Sequence, residues 1–270
     1  MKYVLVFLCV LSSLFLFSQP EHRVAVGKKI IELREIDDLM ITGYDGAELK
    51  INRKGGDREV SEKYKGLRKI SAGGKVDNTG FGLASQGFDD KVVISQVGKS
   101  NGIIVVSVPN TAVVKVVQST YRGGDLSVNN FKGELDVSMM YHDVRLSNVY
   151  GPAAVNTVYG GIEATYSAGP PAEDLHFHST YNSVDVTLPN NVKADLRLST
   201  SYGDMYTDFD IDVKANMDKG SKKEEDEYHG CDDCPHGNNR GGLNGSLNGG
   251  GKLISLRATY QDIYLRKLKN

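Results

Sequence analysis

The side chains with the clearest chemical potential lie close together near the C-terminal end of the chain. Two histidines and two cysteines fall within one short segment, at His229, Cys231, Cys234 and His236. Imidazole and thiolate groups are ligands that Zn²⁺ prefers, so these four side chains could hold one zinc ion. A structural zinc site usually joins ligand pairs from separate segments, whereas these four belong to one stretch. Cys231 and Cys234 could instead form a disulfide, which an exported protein favours, and an inert pair is the third interpretation.

No constellation typical of an enzyme is present in the sequence, and we predict a protein without catalytic activity. Asp125, Asp143, Asp185 and Asp204 recur near turns at nearly equivalent positions, which is typical of a turn motif. The Cys-x-x-Cys pair does not open a helix in a thioredoxin-like pattern, so redox catalysis is not indicated. Apart from the candidate zinc ion, no cofactor is predicted.

Two further histidines, His176 and His178, are two positions apart on a predicted strand, so their side chains share one face. Together with Asp174 they could hold a metal ion. Because the polar face of an alternating strand usually contacts water, we expect a solvated surface there instead.

Six tyrosines recur at the start of short strand-like segments. They are Tyr121, Tyr141, Tyr159, Tyr181, Tyr202 and Tyr260, and the first five follow one another at nearly regular intervals. Their period of about twenty residues predicts a stacked array of strands. In such an array each ring would stack on the next at about 4.8 Å and cover the edge of the core. The alternative is that the rings face outward and bind sugars.

The segments between the tyrosines alternate apolar and polar residues, as half-buried strands do. Leu126 and Val128 form one such pair, and Leu135 and Val137 form the next. Each unit of about twenty residues holds two strands and cannot bury its apolar face alone, so the units must stack. The sequence therefore predicts a mostly-β, single-domain β-solenoid of two-strand coils over residues 19–270.

A longer internal repeat supports this interpretation. The segment Val106–Asn110 recurs as Val186–Asn190, and Ser119-Thr120 recurs as Ser199-Thr200. The offset along the chain is the same for both matches. Two matches at one offset indicate a repeated structure.

Three other segments carry local predictions. Tyr44-Asp45-Gly46 predicts a tight hairpin between two strands, because Asp-Gly readily adopts the required backbone angles. Ser61–Ile70 is the best helix candidate, although Gly66 interrupts it. Residues 207–251 break the repeat with a charge run, the Cys/His cluster and a stretch rich in Gly and Asn. They predict a flexible, low-complexity insertion.

Composition and the first residues indicate the compartment. The chain has 34 acidic and 32 basic residues and no Trp, so nothing in its charge favours a nucleic-acid partner. Residues 1–18, with Lys2 followed by the apolar run Tyr3–Phe17, are typical of a cleaved signal peptide. An uncleaved anchor is the alternative, but the apolar run is shorter than the roughly 20 residues that a spanning helix needs. No later stretch is apolar enough to span a membrane.

The chain resembles the bacterial "putative adhesin" β-strand-repeat family, a domain of unknown function in exported proteins. The resemblance rests on Val184–Asn190, on Ser199–Met205 and on their earlier copies. It covers roughly Ile30 to Leu265 without the insertion, and Phe17-Ser18 before Gln19 also resembles exported proteins of the Bacteroidota. The resemblance implies a β-solenoid at the cell envelope without catalytic residues.

These observations predict a non-enzymatic, exported envelope or surface protein that acts as an adhesin or interaction scaffold. We expect it in the periplasm, on the outer-membrane surface or secreted, with an envelope protein or a glycan as its partner. One alternative is a carbohydrate-binding or carbohydrate-active β-helix protein. A second alternative is an envelope sensor or accessory that uses the Cys/His loop.

Overall fold

The computed structural model describes residues 21–27, 30–56, 66–67, 70–71, 73–99, 102–214 and 241–269. The strands within these ranges are β1 (His22–Ala25), β2 (Ile30–Arg34), β3 (Leu39–Tyr44), β4 (Glu48–Lys54), β5 (Leu83–Gly87), β6 (Lys91–Gln96), β7 (Ile103–Pro109), β8 (Val113–Gln118), β9 (Leu126–Asn129), β10 (Glu134–Met139), β11 (Val144–Ser147), β12 (Ala153–Thr157), β13 (Ile162–Thr165), β14 (Leu175–Ser179), β15 (Val184–Leu188), β16 (Ala194–Thr200), β17 (Met205–Thr207), β18 (Asp212–Val213), β19 (Gly241–Leu247), β20 (Lys252–Ala258) and β21 (Ile263–Lys267). These residues contain no helix, and the prediction of a mostly-β protein is confirmed.

Within the described ranges the strands form two sheets. The ten-stranded sheet has the order β1-β4-β7-β3-β9-β11-β13-β15-β21-β17, and the eleven-stranded sheet has the order β18-β19-β16-β20-β14-β12-β10-β8-β2-β6-β5. From β6 to β17, successive strands alternate between the two sheets. Neighbours in the middle of each sheet are parallel, as in the pairs β9–β11 and β10–β12. Each coil of chain therefore contributes one strand to each sheet.

The core lies between the two sheets because each strand turns alternate side chains inward. In β15, Val184, Val186 and Leu188 are fully buried, while Asp185 and Thr187 between them are partly exposed. The buried apolar side chains form one continuous cluster along the whole stack.

Two coils, one near each end of the chain, lie between coils that follow each other directly in the sequence. The chain passes from β6 and β7 to β8 and β9, and β2 and β3 lie between these two coils. In the same way, β20 and β21 lie between the β14–β15 coil and the β16–β17 coil. Strand pairing at both ends therefore joins segments that are far apart in the sequence.

The repeated segments Val106–Asn110 and Val186–Asn190 lie where the chain passes the inserted β2–β3 coil and the inserted β20–β21 coil, respectively. Pro109 ends β7, and Pro189 directly follows β15. The same turn follows each proline: the Ala112 N–H donates to the Pro109 carbonyl at 3.0 Å, and the Val192 N–H donates to the Pro189 carbonyl at 3.1 Å. The same sequence motif therefore occurs at both places where the chain passes an inserted coil before it forms its next strand.

The tight hairpin predicted at Asp45-Gly46 is wrong, because β7 lies between β3 and β4. β7 is parallel to β3 and antiparallel to β4. The ring of Tyr44 fills the wider turn: its hydroxyl donates to the Glu48 carbonyl at 2.5 Å, and a Cβ on Gly46 would lie 2.1 Å from the ring. A third strand from later in the chain thus separates two strands that are neighbours in the sequence.

The segment predicted as a flexible insertion, residues 207–251, contains strands near both ends. β19 pairs antiparallel with β16, on the side opposite to β20, and β18 pairs with β19. The glycines of β19 allow close packing, since a Cβ on Gly245 would lie 2.5 Å from Cγ2 of Ile211. The Gly- and Asn-rich stretch is therefore in part a sheet strand, which corrects the expectation for Gly241–Leu247.

Several other predictions concern residues outside the described ranges. These are the signal peptide at 1–18, the core of the insertion at 215–240 and most of the helix candidate Ser61–Ile70. At the end of that candidate, Ile70 pairs with Val76 in an isolated antiparallel bridge rather than in a helix. Across the ranges that the structure covers, no helix has the length and apolar character needed to cross a bilayer.

Two buried polar side chains, Glu32 and Tyr166, differ in how well they are satisfied. Glu32 is 6% exposed and forms ion pairs with Arg34 and, at 3.0 Å, with Lys91. Burial raises the pKa of Glu32, but the hydrogen bonds from Lys91 and Arg34 outweigh it and hold the pKa below its usual range. The hydroxyl of Tyr166, by contrast, is fully buried without a hydrogen-bond partner, and burial raises its pKa.

Candidate interaction surface

Five of the six recurring tyrosines form one continuous stack along an edge of the molecule. The ring centroids are 5.2 Å apart for Tyr141–Tyr159, 5.0 Å for Tyr159–Tyr181, 4.8 Å for Tyr181–Tyr260 and 5.0 Å for Tyr260–Tyr202. The planes of neighbouring rings differ by 2–17°. We call these five residues the tyrosine ladder. Its spatial order is not the order of the sequence, because Tyr260 lies between Tyr181 and Tyr202.

Backbone hydrogen bonds between coils fix the spacing of the ladder. The N–H of Tyr159 donates to the Met140 carbonyl and the N–H of Tyr181 donates to the Val158 carbonyl, both at 2.8 Å. The N–H groups of Tyr260 and Tyr202 make the equivalent bonds to the neighbouring coil at 3.0 Å. The rings are therefore stacked by the spacing of the parallel strands below them.

Small buried hydroxyl groups hold the turn under the ladder. The Thr157 hydroxyl donates to the Gly160 carbonyl at 2.7 Å, and the Ser179 hydroxyl donates to the same carbonyl at 2.9 Å. At the Tyr202 end of the ladder, the Gly203 N–H donates to the Thr200 hydroxyl at 3.0 Å. These bonds satisfy polar groups that the close coil packing removes from water, so the ladder has a rigid base.

Tyr121 is the sixth recurring tyrosine, and it does not belong to this stack. Its ring is 69% exposed, and the guanidinium of Arg122 lies 5.9 Å from the ring centroid. The structure therefore brings together five of the six predicted residues.

The recurring aspartates belong to the turns that follow the ladder. Asp125 and Asp143 each accept a hydrogen bond from a backbone N–H of the next coil, at 3.2 Å and 2.7 Å. Asp262 accepts the N–H of Asp204 in the same way at 2.9 Å. Asp185 was grouped with these positions in the sequence, but it lies on the strand itself, where it pairs with Arg266 at 2.9 Å. Asp125, Asp143 and Asp262 therefore serve as backbone acceptors, whereas the Asp204 carboxylate accepts from the Tyr206 hydroxyl at 3.5 Å.

The outer face of the ten-stranded sheet beside these turns carries mixed charge. Arg145 pairs with Asp125 at 2.7 Å and lies 3.6 Å from Asp143 and 3.9 Å from Glu163. The hydrogen bond to Asp125 raises the pKa of Arg145, and the charges of the other two carboxylates add to this effect. The guanidinium thus offsets the repulsion between carboxylates that the parallel register brings close together.

A second, shorter stack lies on this outer face at the end of the sheet, and its two tyrosines are not among the residues predicted from the sequence. The rings of Tyr206 and Tyr264 are 5.3 Å apart with an angle of 13° between their planes. Both belong to the pattern Tyr-x-Asp-apolar-Tyr, in residues 202–206 and 260–264, which could have revealed the pair. The charges of Asp204 and Asp262 raise the pKa of Tyr206, and the hydrogen bond to Asp262 raises that of Tyr264.

The structure describes only some of the candidate metal ligands. His229, Cys231, Cys234 and His236 lie outside them, so the zinc, disulfide and inert interpretations all stay predictions. His178 contacts the Thr259 hydroxyl at 3.2 Å, and Asp174 accepts the Leu253 N–H at 2.9 Å. The covered ranges contain no group of three or more His, Cys, Asp or Glu side chains arranged to hold a metal ion.

Comparison with known proteins gives two solved structures. One is described as a putative cell adhesion protein from Clostridium sporogenes; it is 10% identical over 92% of this chain and 99% of its own, with a TM-score of 0.47. The other is a putative adhesin from Bacteroides fragilis, 10% identical over 93% of this chain and 100% of its own, with a TM-score of 0.24. No family model and no curated protein matches the chain.

Proposed function

We propose that this chain is an exported, non-catalytic interaction protein that binds a protein partner through the tyrosine ladder. The alternation of parallel strands between two sheets supports the interpretation of its coils as a β-solenoid. The predicted leader at residues 1–18 supports export. The observation that carries the proposal is a row of five exposed rings at spacings of 4.8–5.2 Å.

The ladder has the physical properties of a preorganised protein-binding surface. Its rings are 42–74% exposed, yet each is held by stacking, and four of the five tyrosines also donate a backbone hydrogen bond to the neighbouring coil. Tyrosine contributes a large amphipathic contact area with few rotatable bonds, which is why it is enriched at protein interfaces. Because these side chains are already ordered, binding costs little additional conformational entropy.

The stacking disfavours a sugar-binding role for the interior of the ladder. A sugar ring packs its C–H groups against the face of an aromatic ring. Both faces of Tyr159, Tyr181 and Tyr260 are covered by neighbouring rings at 4.8–5.2 Å. These residues offer ring edges and hydroxyl groups, which suit hydrogen bonds and edge contacts with a protein surface.

The engagement of the recurring carboxylates supports a non-catalytic role. Asp125, Asp143 and Asp262 accept backbone hydrogen bonds at equivalent turns, as a structural motif requires. A general acid or base needs a shifted pKa and a free position beside a substrate. The position of these aspartates is instead occupied, since each already accepts a backbone N–H in its turn.

The test is an affinity measurement on the mature protein with two changes in the middle of the ladder, Tyr159→Ser and Tyr181→Ser. Partners captured from envelope extracts by the wild-type protein would be identified by mass spectrometry, purified and titrated against both proteins. We expect the doubly substituted protein to bind at least tenfold more weakly while it remains folded by circular dichroism. An unchanged affinity would refute the ladder as the binding surface.

A matched control lies on the outer face of the eleven-stranded sheet, outside the ladder. Lys115 and Asp136 form an exposed ion pair at 3.6 Å, and their side chains are 44% and 49% exposed, close to the values of the ladder rings. The Lys115→Ala and Asp136→Ala protein should bind as the wild type does. Equal weakening by the control would show that the affinity does not depend on the ladder in particular.

A further inference from the structure

The ten-stranded sheet ends at β17, which has an unpaired edge. β17 pairs with β21 on one side, and in the described part of the chain no strand pairs with its other side. The eleven-stranded sheet continues beyond the same coil, because β19 pairs with β16 and β18 pairs with β19. The two sheets therefore end at different levels of the stack, and only the edge of β17 is left open at its own level.

The open edge presents the backbone groups of Met205 and Thr207. In a parallel sheet the N–H and C=O of one residue point to one neighbouring strand, and those of the next residue point to the other. The Ile263 N–H donates to the Asp204 carbonyl at 2.9 Å, so the groups of Asp204 and Tyr206 point toward β21. Those of Met205 and Thr207 point away from β21, and such an edge is a template for another strand.

Two tyrosines of this coil end their stacks at the same edge. Tyr202 is the last ring of the ladder and Tyr206 is the last ring of the second stack, with exposed fractions of 74% and 51%. Each stacks on a ring of the β20–β21 coil, and among the described aromatic residues no further ring covers the opposite face. Aromatic residues four positions apart on an added strand would continue both stacks.

Asp204 offers an acceptor that repeats a feature of the interior coils. Asp125, Asp143 and Asp262 each accept a backbone N–H from the coil on their β17 side. Asp204 is in register with Asp262 in the last coil. Its Oδ2 accepts the Tyr206 hydroxyl at 3.5 Å, and no donor within the described ranges contacts its Oδ1. Oδ1 can therefore accept an N–H of an added strand, as in the coils before it.

The other edges of the described sheets lack this combination. At β5, the Asn78 side chain accepts the Ser85 N–H at 2.8 Å and donates to the Ser85 carbonyl at 2.9 Å, so that edge is capped. β1 pairs antiparallel with β4 and does not continue the parallel pattern of the coils. β18 has only two residues. The edge that best fits a further coil strand is therefore that of β17.

The charge beside β17 indicates the chemistry of the strand that would pair with it. Residues 202–213 include Asp204, Asp208, Asp210 and Asp212 and contain no Lys or Arg. A cationic segment would meet charges of the opposite sign there, which accelerates association and helps to fix the register.

We propose that the β17 edge binds an extended, cationic segment of a partner protein, which joins the ten-stranded sheet as a parallel strand. The segment carries aromatic residues four positions apart, which stack on Tyr202 and Tyr206. In strand addition of this kind, backbone hydrogen bonds give affinity and alternate side chains give specificity. The site is a sheet edge, whereas the ladder offers the ring edges of its interior tyrosines, so this inference goes beyond the proposed function and does not depend on it.

The test is isothermal titration of the mature protein with a synthetic peptide of residues 258–269. This peptide is cationic, carries Tyr260 and Tyr264 at the required spacing, and includes the sequence that already pairs with β17 within the fold. We expect it to bind. N-methylation of the peptide at Tyr264 and Arg266, whose N–H groups would face β17, should weaken binding about tenfold or more. The matched control is N-methylation at Ile263 and Leu265, whose N–H groups would face away, and it should change the affinity by less than about threefold.

Variants of the protein test the same edge from the other side. Met205→Pro removes an N–H that faces outward and no bond to β21, so it should abolish binding. Tyr206→Ala should weaken binding severalfold. Tyr121→Ala removes an exposed tyrosine outside both stacks and should bind as the wild type does. The N-methylated peptides leave the protein unchanged, so they test the site even if Met205→Pro is poorly folded.

Four results would overturn the proposal. They are no binding at about 1 mM peptide, equal effects of the two N-methylation patterns, wild-type affinity of a folded Met205→Pro protein, which would indicate that the peptide displaces β21, and self-association of the mature protein that Met205→Pro abolishes, which would assign the edge to a second copy. Tyr159→Ser and Tyr181→Ser leave the β17 edge intact and should not change peptide binding. The two proposals can therefore fail separately.

Discussion

The order of the rings in the ladder can be tested by measuring the coupling free energy between pairs of tyrosines in double-mutant cycles. In the structure, Tyr181 stacks on Tyr260 at 4.8 Å although the two are far apart in the sequence. Tyr202 is the next recurring tyrosine in the sequence after Tyr181, but Tyr260 lies between them. Coupling free energies should therefore follow the spatial order and not the sequence order.

The expected magnitudes follow from the stacking distances. An aromatic pair contributes about 0.5–1.5 kcal/mol beyond its buried area, so the Tyr181→Ala and Tyr260→Ala pair should show a coupling of that size. Tyr181 and Tyr202 are two spacings apart, roughly 10 Å, where effects of substitutions usually add within about 0.5 kcal/mol. As an interior ring, Tyr181 has two stacking partners, whereas Tyr202 at the end has one. Tyr181→Ala should accordingly cost more stability than Tyr202→Ala.

The assay is urea unfolding of the wild type, the three single variants and the two double variants, followed by circular dichroism. The free energies of unfolding are comparable only if the dependence on urea stays constant across the set. A coupling near zero for Tyr181 and Tyr260, together with a clear coupling for Tyr181 and Tyr202, would refute the placement of the last coil. It would instead indicate that coils stack in sequence order.

Three further predictions, which use five substitutions in all, test buried polar groups and one turn by the same unfolding measurement. Tyr166→Phe removes a buried hydroxyl without a partner and should leave stability equal or raise it by about 1 kcal/mol, whereas Tyr44→Phe removes a satisfied hydroxyl and should lower it by about 1 kcal/mol; a loss with Tyr166→Phe would reveal a missed partner. Gly160→Ala should cost about 1–3 kcal/mol because its Cβ would lie 1.9 Å from the backbone carbonyl oxygen of His142 in the preceding coil. Gly161→Ala, with its nearest atoms at 3.5 Å, should be nearly neutral; equal effects would contradict the close approach of the coils at Gly160. Glu32→Gln should cost about 1–3 kcal/mol at neutral pH. Because the folded state lowers the pKa of Glu32, its contribution to the free energy of unfolding is complete above the ordinary pKa of about 4.3 and is lost as pH falls through the lowered pKa. The difference in the free energy of unfolding between wild type and Glu32→Gln should therefore shrink in acid. A difference that grows in acid would reverse the assigned direction of the pKa shift.

Local features were predictable from the sequence because they depend on local alternation. Val184, Val186 and Leu188 identify a half-buried strand by their period of two, and the structure buries all three. The regular recurrence of tyrosine indicated coils, and five of the rings stack at the spacing of parallel strands. Short-range periodicity and the fixed distance between hydrogen-bonded strands are enough for both inferences.

The order in which the coils stack could not be predicted from these local patterns. Every coil offers the same pattern of backbone donors and acceptors, so a strand such as β20 could pair with several others without any change in its own sequence. The partner that such a strand takes depends on which strand edge is still unpaired once the remaining coils have packed. This is why β7 separates β3 from β4 against the local Asp-Gly signal, and why a glycine-rich stretch becomes β19.

Side-chain periodicity is a local property, so the amino-acid sequence suffices to predict that the chain forms β-strands with alternating buried and exposed side chains. Three features instead depend on tertiary packing: coils near both chain ends lie inside the stack, Tyr260 lies between Tyr181 and Tyr202, and Tyr206 ends a second stack with a free face. The physical reason is that parallel pairing is satisfied by any neighbouring coil. Only the packing of the complete chain selects which coil that is.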